Sequence, residues 1–143
     1  MHGTAGGDAR ALRGRGRHRP GARGVDVREP HGVFLVLRDD DGTAIGCGGI
    51  ARFDETRGEV KRMYVVPGAR GRGLGRALLD ELESAARRLG YTSVVLETGD
   101  RQAQAVGLYE SSGYVRIPCY PPYDSRSLSR CYEKRLEADD EGL

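Results

Sequence analysis

Long apolar runs are missing from this chain: none approaches the ~18 consecutive residues a helix needs to cross a bilayer. No apolar stretch follows the charges at the N-terminus, so no secretory signal is expected, and a reducing cytoplasm is the expected compartment. Cysteine is scarce. Cys47, Cys119 and Cys131 are odd in number and widely spaced, which argues against a disulfide framework and against a CxxC metal knuckle. His2, His18 and His31 show no metal-ligand spacing, and no metal is expected. Hydrophobic residues make up only 38% of the 143 residues and charged ones 31%. The length fits one domain with one core, and part of the chain is expected to lie outside that core.

Glycine, by contrast, is abundant. With 22 glycines in the chain, a glycine-rich motif carries weight only where its surroundings support it. Charge is uneven: residues 1–24 hold six Arg and one Asp, while the remainder is net −3. That first segment, MHGTAGGDARALRGRGRHRPGARG, has almost no large apolar side chains and cannot offset its ordering entropy by burial. The expected organisation is a disordered Arg/Gly-rich tail at 1–28, a folded domain at 29–137 and an acidic flexible end at 138–143. Such a tail fits either a nucleic-acid arm or a solvated leader. No aromatics are interleaved to stack on bases, so the leader is favoured and nucleic acid is not an expected partner.

Order begins near Val33, where an apolar run reads as a strand. Asp41-Gly42 between two such runs signals a hairpin. The return strand, Ala44 to Phe53, contains Gly46, Gly48 and Gly49, which point to a bulge or to close backbone packing. EVKRMYVV follows as a third strand. Strict alternation puts Val60, Arg62, Tyr64 and Val66 on one face and Glu59, Lys61, Met63 and Val65 on the other. Leu74, Leu78, Leu82, Ala85 and Leu89 then recur at helical spacing. TSVVLET reads as an interior strand, QAQAVGLYESS as a short helix, and YVRI and LSRCYEKRL as closing strands around the turn-rich PCYPPYDSR. The predicted order is β-β-β-α-β-α-β-β, a mixed sheet of the α/β (α+β) class with a parallel middle.

RGRGLG, at residues 70–75, falls between a strand and a helix, where unpartnered N–H groups and the helix dipole favour an anion. The dinucleotide fingerprint GxGxxG fails there, because Arg76 stands at the third glycine position. The P-loop pattern fails because Leu74 stands where Lys is required. The pattern [RQ]xxGx[GA] is met in full by Arg70-Gly71-Arg72-Gly73-Leu74-Gly75. That hexapeptide resembles the pyrophosphate loop of the GNAT superfamily of N-acetyltransferases. QAQAVGLYESSGYVRI resembles the family's second motif, NxxAxxLYxxxGF, with Gln102 in place of the usual Asn.

The resemblance implies a GNAT-like mixed sheet and acetyl-CoA as cosubstrate, with transfer to a primary amine of a small molecule or amino compound. It implies a pyrophosphate cradle of Arg70, Gly71, Arg72, Gly73, Leu74, Gly75 and Arg76. It further implies backbone contacts from the strand at Met63, Tyr64 and Val65, and a cofactor contact at Gln102. Tyr109 matches a tyrosine placed near the cofactor sulfur, as general acid or hydrogen-bond donor. Glu59 matches a glutamate that serves as base in part of the family, and Glu97 competes for that role, as does a water relay. Members usually open with a strand and two helices that wall the acceptor site. Residues 1–30 carry no such pattern, so the first strand and both helices are expected to be lacking. A second copy of the chain is then a candidate cover for the bared surface, and a cofactor-binding but inactive domain is the alternative to an active enzyme.

Overall fold

A computed structural model describes residues 10–14 and 31–137. Among the described residues, seven strands and two α-helices follow in the order β1 (Arg10–Gly14), β2 (Val33–Arg38), β3 (Ala44–Arg52), β4 (Arg57–Val65), α1 (Leu74–Arg88), β5 (Ser93–Gly99), α2 (Ala103–Ser111), β6 (Val115–Ile117) and β7 (Ser129–Arg135). The strands form one mixed sheet in the order β1-β2-β3-β4-β5-β7-β6. The predicted element order from β2 onward is the observed one.

The leading strands are antiparallel because tight turns join them. At the first turn Gly42 has φ of 84°, while the Asp39 carboxylate accepts from the N–H groups of Asp41 and Thr43. This is the left-handed geometry that the Asp41-Gly42 pair favours. β4 and β5 run parallel, because α1 carries the chain back across one face of the sheet. The buried stripe of α1 is Leu74, Leu78, Leu79, Leu82, Ala85 and Ala86. From Leu78 onward it packs with Val33, Leu35, Ile50, Val60, Val94 and Leu96 from the sheet, while Leu74 joins Leu37, Ile45 and Ala69 in a smaller cluster. Burying each of these leucines contributes about 1.5–3 kcal/mol. β3 lets the helix come close at Gly48, where an added Cβ would sit 2.9 Å from Leu82 Cδ1.

Three findings differ from the sequence reading. First, residues 10–14 pair with β2 from Arg10 opposite Arg38 to Gly14 opposite Phe34, so the edge beside β2 is occupied. An edge strand needs only main-chain donors and acceptors, which an Arg/Gly-rich segment possesses as fully as an apolar one. The rest of the expected tail, and the acidic end at 138–143, lie outside the described residues. Second, Cys119 and Cys131 form a disulfide. β6 pairs with β7 so that Ile117 is opposite Cys131, which brings Cys119 within a Cα separation of 5.0 Å. Spacing along the chain gives no hint of that register. Third, β4 does not alternate strictly. Arg62 adopts φ of 57°, and the β3–β4 register shifts between Cys47 and Gly49. This is a bulge, one extra residue on β4.

Candidate active site

The bulge decides which side chains of β4 meet the helices. Val60 lies in the main core, and Met63 and Val65 pack against the same core, so residues of both parities share the helix side. Glu59 is thereby not on the face of Met63, contrary to the alternation expected from the sequence. Holding Arg62 in the left-handed region costs about 1–2 kcal/mol. Such strain commonly marks a working part of a protein.

Beyond the bulge the sheet opens. β4 and β5 pair only at Arg57–Ser93, Gly58–Val94 and Glu59–Val95. After that, β4 continues on β3 alone and β5 on β7 alone. The two strands thus form a V. In its opening lies a cavity of about 520 Å³, lined among others by Met63, Tyr64, Val65, Glu97, Gln102 and Tyr109. A second cavity of about 360 Å³ adjoins it and shares Met63, Tyr64, Val65, Arg70 and Tyr109. Its outer wall is Gly71, Gly73, Leu74, Gly75 and Arg76. Together the two make a cleft from the glycine turn to the heart of the V.

The glycine turn is built to leave space. Gly71 and Gly73 have φ of 80° and 76°, and a Cβ added at either would meet nothing within 4 Å. Gly73 caps α1, with no side chain bonded to the helix end. The helical ladder starts from Ala77 N–H to Gly73 C=O, so the N–H groups of Leu74, Gly75 and Arg76 precede it. These groups, with the helix dipole behind them, favour an anion. Gly75 has a different job: a Cβ there would lie 3.3 Å from Leu108 Cδ2, so its hydrogen lets α2 pack against α1.

The arginines divide. Arg70 Nε donates to the Val65 carbonyl at 2.8 Å, and its guanidinium lies over the Tyr64 ring. It therefore ties the end of β4 to the turn. Arg76 pairs loosely with Asp80 at 3.6 Å on the exposed side of the helix. Arg72 is exposed and lines neither cavity. Gln102 precedes α2 and lines the larger cavity, its N–H bonded to Gly99 C=O.

Tyr109 comes from α2, with only 7% of its surface exposed. Burial pushes its phenol above the ordinary pKa, and the Glu97 charge pushes the same way, so the hydroxyl keeps its proton. Glu97 sits in the V near the end of β5 and accepts a hydrogen bond from Ser129 Oγ at 2.8 Å. Among the described residues it has no ion-pair partner. Glu59 is differently engaged. It lines neither cavity, pairs with Lys61 Nζ at 3.4 Å and accepts from Tyr120 Oη at 3.1 Å. Burial alone would lower the Lys61 pKa, but Glu59 and Tyr123 outweigh it and hold the ammonium charged. Tyr120 is pushed up by burial and by the Glu59 charge. The loop carrying Tyr120 and Tyr123 therefore locks Glu59 into a network. Of the residues expected in the site, the structure gathers Met63, Tyr64, Val65, Arg70, Gln102 and Tyr109 with the glycine turn, and leaves out Glu59 and Arg72. It adds Thr98 and Gln104 to the cavity wall, neither of which carries a sequence signal.

Comparisons with known proteins agree with this geometry. The family profile described as "Acetyltransferase (GNAT) family" matches residues 9–114. The chain is 45% identical over 111 residues to a protein of Azospirillum brasilense named IAA acetyltransferase, covering 77% of this chain and 72% of that one. A crystal structure described as a putative acyl-CoA N-acyltransferase from Klebsiella pneumoniae superposes with a TM-score of 0.71 at 40% identity, covering 74% of this chain and 73% of that one. A GNAT family acetyltransferase from Elizabethkingia anophelis, solved with acetyl-CoA bound, shares the fold with a TM-score of 0.71 at 16% identity, covering 90% of this chain and 99% of that one. The matched segment runs through the glycine turn, the V and both helices, and the chain belongs to the GNAT acetyltransferase family.

Proposed function

We propose that this protein is an N-acyltransferase that moves an acetyl group from acetyl-CoA directly to a primary amine of a small molecule or amino compound. One observation carries the reading: a continuous cleft joins an uncapped helix N-terminus to the V between β4 and β5. The residues present fit the cosubstrate. The open space over Gly71 and Gly73 admits a diphosphate to the backbone, and the N–H groups of Leu74 to Arg76 offer it donors. The narrow V takes a slender, partly polar arm. Once bound, acetyl-CoA supplies an acyl group activated as a thioester.

The chain's own residues supply the proton traffic. An amine reaching the V arrives as an ammonium and must lose a proton before it can attack. Glu97 accepts that proton: it lines the cavity, whereas Glu59 is held by Lys61 and Tyr120. Glu59 is occupied by those two partners and lines neither cavity, so Glu97 is the carboxylate that an amine in the V would meet. The departing thiolate needs a proton at the other side of the reaction. Tyr109, kept neutral by burial and by Glu97, holds one at Oη.

A thiol-release assay with acetyl-CoA across amines, peptides and amino acids tests the reading. The expected result is amine-dependent release that falls by about 10²-fold or more in Glu97→Gln, the span of general acid–base catalysis. Acetyl-CoA binding without release on any amine would overturn it in favour of a binding-only domain.

A further inference from the structure

We propose that Ser129 is the positioning residue for Glu97, fixing the carboxylate that receives the acceptor's proton. The inference rests on the reading of Glu97 as base given above.

The antiparallel pairing of β5 and β7 sets Glu97 opposite Cys131 and Gly99 opposite Ser129. Ser129 is thus the diagonal neighbour of Glu97 on one face of the sheet, within reach of a short side chain. The hydroxyl of Ser129 donates to Glu97 Oε2 at 2.8 Å. One carboxylate oxygen is anchored, and Oε1 is left for the acceptor. A glutamate at the splayed end of a strand has three side-chain torsions to fix. Without an anchor it would populate several rotamers, only some of them productive.

Ser129 is itself pinned on both sides. Asp100, just past the end of β5, donates its N–H to Leu128 C=O at 2.6 Å, and its carboxylate pairs with Arg130 Nε at 2.6 Å. Two residues further on, Cys131 is bonded to Cys119. The two Asp100 contacts hold the start of β7 against the end of β5, and the disulfide ties β7 to the segment that follows β6 on its other side.

The test compares Ser129→Thr with Ser129→Val. Both are β-branched and suit a strand, and they differ only in whether a hydroxyl is present. Ser129→Thr is expected to keep kcat within about twofold. Ser129→Val is expected to lose about tenfold or more in kcat, part of what the base contributes, while the KM for acetyl-CoA stays unchanged. In a Glu97→Gln background the two variants should not differ. Equal kcat for Thr and Val, with Glu97→Gln strongly impaired, would overturn the role of Ser129 and leave Glu97 standing. Wild-type turnover in Glu97→Gln would instead overturn the assignment of the base and this inference with it. A Val variant whose acetyl-CoA KM rises as much as its kcat falls would show a merely structural serine and would also overturn the proposal.

Discussion

The hydroxyl of Tyr109, on α2, lies 3.9 Å from the sulfur of Met63, on β4, so the helix touches one arm of the V beside the cavity that both residues line. Sulfur is a weak acceptor, and a contact of that length leaves the phenol free to turn toward a better one. A buried, protonated tyrosine beside a soft side chain is well placed to serve a departing thiolate.

Replacing Tyr109 by Phe removes the proton and keeps the ring packing. Steady-state kinetics should show kcat reduced by about 10²-fold, with acetyl-CoA affinity close to wild type. A wild-type kcat would remove the acid role from this residue.

The V depends on a tight base. At Gly58, within the three-residue pairing of β4 with β5, an added Cβ would sit 2.9 Å from both Ile50 Cγ2 and Tyr91 Cδ2. Gly58→Ala is expected to destabilise the protein by about 1–3 kcal/mol through overpacking. Denaturant unfolding would measure this as a lower midpoint, and an unchanged midpoint would contradict it.

Alkaline pH should unfold the protein through its buried phenols. Burial and then the neighbouring carboxylates raise Tyr109, Tyr114 and Tyr120 above their ordinary value of 10.0. The folded state therefore holds these protons more tightly than the unfolded one. Their contribution is complete below about pH 10 and is lost as pH climbs above it. Tyr114 also donates to buried Glu83 at 2.9 Å, beside Lys134 Nζ at 3.0 Å. Tyr114→Phe should cost about 1–3 kcal/mol at neutral pH, because Glu83 loses a donor. It should also flatten the alkaline decline in Tm. A variant as stable as wild type at pH 7 would contradict the Glu83 account.

Local signals in the sequence were enough for most of the fold. The Asp41-Gly42 turn, the leucine period of α1 and the punctuation by glycine all act within a few residues. The open glycine turn was legible for the same reason, since Gly71 and Gly73 of RGRGLG supply its left-handed backbone. Features that depend on pairing between distant segments were not. The bulge at Arg62 follows from how β4 is registered against β3, and it moved Glu59 off the face of Met63. Cys119 meets Cys131, and Ser129 meets Glu97, only through the register of β7. β1 shows no apolar pattern because its pairing with β2 uses main-chain groups.

The central claim, that the turn before α1 receives the diphosphate of acetyl-CoA, is tested most directly by isothermal titration of acetyl-CoA into wild type and Gly73→Asp. The substitution places a carboxylate in the open space over the turn, at a residue with φ of 76°. Wild type should show saturable one-to-one binding. The variant should bind at least about tenfold more weakly, since like charges brought together in a binding site cost several kcal/mol. Equal affinity in the two proteins, or no binding to wild type, would contradict the account.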